Sequence, residues 1–284
     1  MSAGAPQVER AGGESDARRS AWLLAAGLGI GFLGSLCGIG GGLFAVPFLH
    51  VVRGFELQVA VASSLVLVLA TTVGATAAEA FQEASDLHGP LVAGLVGGVL
   101  LGAQAGFRVS ERLPARRLKM VFVVVLTLAA IRLGPWPQAP AGPGGGALFE
   151  PGAASLAVAF LVGAGGGFVA PLLGVGGGLI MVPGLYLGIP GLGFSTARAT
   201  SLAAGSVAAA RSLWLHARAG RVRWRSATWL AAGALLGAVL GVRTTRLAGV
   251  ADLGRILLAL VLLFVALRFA RELWWRARAP GAQA

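Results

Sequence analysis

Two stretches of this chain repeat one another around a cluster of glycines. Gly31–Leu49 aligns without gaps on Gly167–Leu185, 136 residues further on, with 11 of the 19 positions identical. At the centre of each copy stands the same pattern, Gly38-Ile-Gly40-Gly41-Gly42 and Gly174-Val-Gly176-Gly177-Gly178, with Pro47 and Pro183 five residues past the last glycine. Each copy lies inside an apolar run, 21–52 and 153–189. A straight helix over residues 21–52 would be about 48 Å long, against about 30 Å of bilayer hydrocarbon. A chain built on such elements has to break its helices within the apolar layer. Irregular backbone at that depth survives only where protein buries it or where it lines a wet cavity.

Six further apolar runs, 57–80, 91–107, 118–133, 199–215, 227–242 and 256–269, complete the pattern. Only 12% of the residues are charged, about half the share of an ordinary soluble domain. This excludes a soluble globule and a disordered chain, and leaves an all-α, multi-pass membrane protein of about 8–10 helices. The register of the repeat continues past the glycines. Ala62-Ser63-Ser64-Leu65 matches Ala199-Thr200-Ser201-Leu202, and Gly98, Gly102 and Gly106 match Gly233, Gly237 and Gly241. The expected organisation is a polar tail (1–20), a first membrane repeat (21–134), a Pro/Gly linker (135–152), a second repeat (153–270) and a basic tail (271–284). Internal duplication of this kind marks secondary transporters.

The net charge is +12. The arginines sit in short clusters between apolar runs, which is the pattern of membrane topology and not of a nucleic-acid-binding face. If each long run counts as two crossings, each half makes five and the halves are inverted. The N-terminus, Arg53, the 108–119 and 218–225 loops and the C-terminus then share the inner side. Glu79–Asp86 and the linker lie on the outer side, and only Arg243–Arg255 breaks the rule.

The glycine clusters are the strongest candidate site. Gly38, Gly40, Gly41 and Gly42, with Gly174, Gly176, Gly177 and Gly178, permit backbone angles that end one helix and begin another. Helix starts carry free N–H groups and partial positive charge. Two such breaks facing each other would bind an anion with backbone alone, and Pro47 and Pro183 would bend the chain further. Ser63, Ser64, Thr200 and Ser201 offer hydroxyl donors at matching places, or else ordinary hydrogen bonds between helices. Arg198 could pair with a bound anion or snorkel to the interface. Glu79 and Glu83 belong to a vestibule or to the outer face, and Gln104 is an amide well inside a span. The four-residue spacing at Gly94, Gly98, Gly102 and Gly106, and at Gly233, Gly237 and Gly241, suits close helix packing. Cys37 has Leu173 as its counterpart and is read as packing. The three histidines, at 50, 88 and 216, have no metal-ligand spacing. No nucleophile–base set, cofactor motif or metal cluster is legible, which argues against an enzyme.

At the duplicated GxGGG…P element and the Ala-Ser-Ser-Leu and Ala-Thr-Ser-Leu segments after it, the chain resembles the TauE/SafE family of sulfite and sulfonate exporters. The resemblance covers roughly residues 22–270. It implies an inner-membrane permease for a small anion such as sulfite, thiosulfate or an organosulfonate. It further implies secondary active transport with no ATP and no prosthetic group. An ion gradient would supply the work, of protons before sodium. A passive anion channel and a non-transporting assembly subunit are the alternatives. Oligomeric state, substrate and direction are not legible.

Overall fold

The structure, a computed structural model, describes residues 6–82, 85–110, 152–245, 247 and 249–278, with isolated positions 123, 127, 130 and 131. Glu83, most of the 118–133 run and nearly all of the 135–152 linker lie outside the described residues. The chain is all-helical, with no strand among the described residues. In chain order the helices are α1 (Pro6–Cys37), α2 (Gly42–Pro47), α3 (Leu57–Ala80), α4 (Gly89–Ser110), α5 (Ala153–Leu173), α6 (Gly178–Gly188), α7 (Phe194–Arg218), α8 (Trp224–Thr244) and α9 (Val250–Arg278). A π-helical turn, Phe48–Val52, extends α2 directly after Pro47. Among the described residues, five segments are long and apolar enough to cross a membrane: Ser20–Cys37, Gln58–Ala80, Gly89–Val109, Ala153–Leu173 and Trp224–Thr244.

Each long apolar run folds as a hairpin. After Cys37 the chain reverses through the glycines and α2 returns along α1. Gly41 comes back beside Ile30, and Phe48 stacks on Trp22 with ring centroids 5.1 Å apart. In the second run α6 returns along α5, with Gly184 against Val162 and Gly188 against Val158. The five-crossing expectation counted these return arms as full crossings, and here the structure corrects it. The arms Gly42–Val52 and Gly178–Gly188 are shorter than the five spans. Eleven helical residues rise only about 16 Å, roughly half the apolar layer.

The glycine stripes act as the spacing suggests. A methyl group at Gly98, Gly102 or Gly106 of α4 would collide with the carbonyls of Phe160, Ala164 or Phe168 on α5. One at Gly233 or Gly237 of α8 would collide with those of Leu24 and Leu28 on α1. These are the two most extensive helix contacts among the described residues. In both, residue numbers rise together, so the paired helices run parallel. The first helix of each half thus packs on the glycine-striped helix of the other, with backbones brought close by small residues.

The ends of the bundle follow from cross-helix bonds. Arg198, near the start of α7, pairs with Glu79 at the end of α3. Arg223, just past the end of α7, donates its backbone N–H to Ser63 near the start of α3. These two helices are therefore antiparallel. Arg53, Arg108, Arg218, Arg221, Arg223 and Arg225 gather at the end where α3 starts, the near end. Asp86, Arg243, Asp252 and Arg255 gather at the far end, close to where the Glu79 carboxylate is buried. Helices α1 and α5 enter from opposite ends, as inverted halves do.

Candidate functional site

The backbone of the two glycine breaks is the same. Gly38, Gly40 and Gly41 have φ of 76°, 70° and 78°, and Gly174, Gly176 and Gly177 have 70°, 67° and 83°. These are left-handed conformations that a side chain disfavours, so the pattern GxGG is dictated by the turn itself. Gly42 and Gly178 then open α2 and α6 in ordinary helical geometry. They are glycine for another reason: the two breaks lie directly on one another. A methyl group at Gly178 would stand 2.5 Å from the Gly38 carbonyl oxygen and 2.7 Å from the Ile39 Cα. One at Gly42 would strike the Gly174 carbonyl and stand 2.7 Å from the Val175 Cα. The starts of two helices, each with N–H groups that have no acceptor within their own helix, therefore meet inside the bundle.

Around them runs a polar seam. Of the twelve buried polar or charged residues described, all but Ser35 lie on α3 or α7. On α3 these are Ser63, Ser64, Thr71, Thr72 and Glu79; on α7, Thr196, Arg198, Thr200, Ser201, Ser212 and His216. Both helices turn these groups inward, so α7 is one of the most buried helices although it is not among the five apolar spans. A helix that keeps its polar face inside a membrane protein has something there to contact.

Site candidates from the sequence fall into two groups. Ser64 belongs to the breaks: its hydroxyl lies 2.8 Å from the Val61 carbonyl and 3.1 Å from the Gly174 carbonyl of the opposite half. Ser201, its counterpart, and Thr200 are fully buried, and neither hydroxyl has a hydrogen-bond partner. Ser63 stands apart, accepting the Arg223 N–H at 3.0 Å. Pro47 closes α2 at the π-helical turn, while Pro183 is buried within α6.

Arg198 does not snorkel. It is 1% exposed, and its Nη2 donates to Glu79 Oε2 at 2.9 Å. The same guanidinium reaches the Ser35 carbonyl and the Thr245 hydroxyl, each at 3.4 Å. Its Cγ would lie 2.9 Å from a methyl group on Gly38, so the arginine sits against the first break. Glu79 is correspondingly no vestibule or surface residue. It is 1% exposed and also accepts the Asp86 N–H at 3.3 Å. A single sequence could not pair two residues 119 positions apart. The available signal was an unusually polar helix start, Thr196 to Ser201, in an otherwise apolar half.

Three further contacts escaped the sequence reading. Arg211 Nη2 donates to Gln104 Oε1 at 2.7 Å, joining α7 to α4. His216 Nε2 lies 3.1 Å from the Pro171 carbonyl, with the Phe107 ring edge-on at 5.5 Å. Trp214 stacks between the guanidinium groups of Arg211 and Arg218, at 4.7 and 4.6 Å. Cys37 is buried in an apolar cluster with Ile39, Val182 and Leu258, a packing environment. No group of three or more His, Cys, Asp or Glu that could hold a metal occurs among the described residues. A cavity of about 410 Å³ opens between α3 and α8, lined by Gly74, Ala77, Phe81, Val239 and Arg243 among others. It shares no lining residue with the breaks.

Comparison with known proteins bears on the whole chain. The family model described as Sulfite exporter TauE/SafE matches residues 2–133 and 159–284. A similar relative is the "Probable membrane transporter protein YunE" of Bacillus subtilis (strain 168), 28% identical over 104 residues. That match spans 37% of this chain and 37% of the relative. No solved structure matches.

Proposed function

Since the chain belongs to the TauE/SafE sulfite exporter family of membrane transporters, we propose that it moves a small oxyanion across the cell inner membrane by secondary active transport. The substrate class is sulfite, thiosulfate or a small organosulfonate. The observation that carries this reading is the meeting of the two breaks in the α3–α7 polar seam, where Gly42 rests on Gly174 and Gly178 on Gly38. Helix starts supply oriented N–H groups and partial positive charge. The buried, unpartnered hydroxyls of Thr200 and Ser201 supply donors that cost no buried charge. Together they suit an anion whose oxygens accept many hydrogen bonds. In this reading Gly38, Gly40, Gly41 and Gly42, with Gly174, Gly176, Gly177 and Gly178, frame the site. Pro47 and Pro183 shape the arms that flank it, and Arg198 supplies the positive charge. The halves move against each other to open the site to one side at a time, driven by a proton gradient.

The test is uptake of labelled sulfite, thiosulfate and methanesulfonate by proteoliposomes, with and without an imposed pH gradient. Saturable, gradient-dependent flux of one of them is the expected result. Flux that never saturates would mark a channel. No flux of any of the three, from protein shown to be folded and inserted, would end the sulfur-anion assignment and favour an assembly subunit.

A further inference from the structure

The register of the repeat makes the seam between α3 and α8 equivalent to the seam between α7 and α4. It aligns Gly74, Ala77 and Phe81 of the first with Arg211, Trp214 and Arg218 of the second, and Val239 and Arg243 with Gln104 and Arg108. The α4–α7 seam is filled by its own side chains. Trp214 lies between the guanidinium groups of Arg211 and Arg218, and Arg211 is bonded to Gln104. In the α3–α8 seam the matching places carry only a hydrogen at Gly74, a methyl group at Ala77 and an isopropyl group at Val239, while Phe81 is 90% exposed. These small residues leave the cavity of about 410 Å³ between the two helices.

The cavity has a direction. Helices α3 and α8 both run from the near end to the far end, and the lining residues fall in the last turns of each. From Leu235 to Arg243 the helix rises about 12 Å, close to half of the roughly 30 Å hydrocarbon layer. The deep part is walled by Val73, Gly74 and Leu235, and Val73 and Leu235 are exposed within segments apolar enough to span the membrane. The shallow part carries Phe81 and the exposed Arg243. An apolar trough one leaflet deep, with a cation at its rim, has the polarity of a phospholipid. We infer that this groove holds one phospholipid of the far-end leaflet, with its phosphate on Arg243 and an acyl chain along Gly74, Leu235 and Val239. A guanidinium grips phosphate oxygens through paired, charge-assisted hydrogen bonds. The chain would supply the bulk that Arg211 and Trp214 supply in the other half, and so brace α3 against α8. The site also gives Arg243 a use at the end where the bias of the other arginine clusters would not place it. Nothing in the inference depends on what the protein transports.

The probe is dioleoylphosphatidylglycerol, added to the delipidated native protein in a neutral detergent. Its two parts, glycerol 3-phosphate and dioleoylglycerol, are tested beside it. Native mass spectrometry should find one tightly held phosphatidylglycerol per chain, and the lipid should raise the unfolding temperature by several degrees. Neither part alone should do so at the same concentration. Stabilisation by glycerol 3-phosphate would mark a site for free phosphate, and equal stabilisation by dioleoylglycerol would leave Arg243 without a role; either overturns the inference. Arg243→Glu should weaken retention at least tenfold, and Arg243→Lys much less. Ala77→Trp places in the groove the side chain that its counterpart Trp214 carries, at an exposed position, and should abolish the lipid-dependent shift. Arg218→Gln removes a near-end arginine and should retain the lipid as the native protein does. Equal losses in Arg218→Gln and Arg243→Glu would mean that overall positive charge holds the lipid. That result, native retention in Arg243→Glu, or a lipid-dependent shift surviving in Ala77→Trp would each overturn the inference and leave the transport reading untouched.

Discussion

At the first glycine break the carbonyl of Ser35 receives the guanidinium of Arg198, which is held in turn by Glu79. At the second, the matching carbonyl of Pro171 faces the imidazole of His216. The register that aligns Ser64 with Ser201 also aligns Glu79 with His216 and Arg198 with Val61. One break is therefore flanked by a buried ion pair and the other by an imidazole packed on Phe107. The backbones nevertheless agree in φ to within a few degrees at each of three glycines. Features fixed by backbone geometry are the same in both halves, because only glycine fits a left-handed turn under another backbone. Features fixed by side-chain chemistry have diverged.

The largest expected effect would test how deep this difference runs. Arg198→Gln breaks the buried ion pair with Glu79, and should cost about 3–5 kcal/mol. His216→Gln removes one neutral hydrogen bond and should cost nearer 1 kcal/mol. Reversible unfolding in mixed micelles would measure both. Equal losses would mean that the two ends are energetically alike and that the ion pair adds nothing special.

The second prediction sharpens the likeness instead. Gly42→Ala and Gly178→Ala each drive a methyl group into the opposite break, against backbone that has no rotamer to change. Both should destabilise by about 1–3 kcal/mol or more, and by similar amounts. Gly29→Ala, on the same first hairpin with nothing within 4 Å, is the control. It should be neutral, or gain up to about 1 kcal/mol from helix propensity. A bulky residue at Gly41 or Gly177 cannot separate transport from packing. Both positions have positive φ, and a methyl group at Gly177 would lie 2.7 Å from the Gly166 carbonyl.

These glycines explain why so much was legible in the sequence. Positive φ and backbone contact admit almost no other residue, so the breaks and the α4 and α8 stripes are written as glycine and can be read as such. The hairpins were harder. Apolar periodicity marks a run as buried but not where it reverses, and arms such as Gly178–Gly188 look like halves of one long helix. The Arg198–Glu79 and Arg211–Gln104 pairs were out of reach. Each joins residues more than 100 positions apart, on helices whose facing sides are set only when the halves dock. Arg198 alone reads equally well as an anchor at the membrane surface. Its burial follows from α7 lying beside α3, and no local pattern encodes that.

The smallest effect separates two serines that the repeat makes equivalent. Ser64 shares its hydroxyl between the Val61 carbonyl and the Gly174 carbonyl across the interface. Ser201 is equally buried, and its hydroxyl has no hydrogen-bond partner. Ser64→Ala should therefore cost about 1 kcal/mol. Ser201→Ala should leave stability within about 0.5 kcal/mol of the native protein, or raise it, because an unsatisfied buried hydroxyl is removed. Anion flux should rank them the other way. A hydroxyl already donating to the chain has little left to offer a substrate, whereas the free one beside Arg198 is available. Ser201→Ala should raise the KM for methanesulfonate several-fold, about 1 kcal/mol for one lost hydrogen bond, while Ser64→Ala changes it little. Were both serines to affect stability and KM alike, the difference between the two breaks would be confined to the ion pair, and the hydroxyls would be helix-packing groups in both halves.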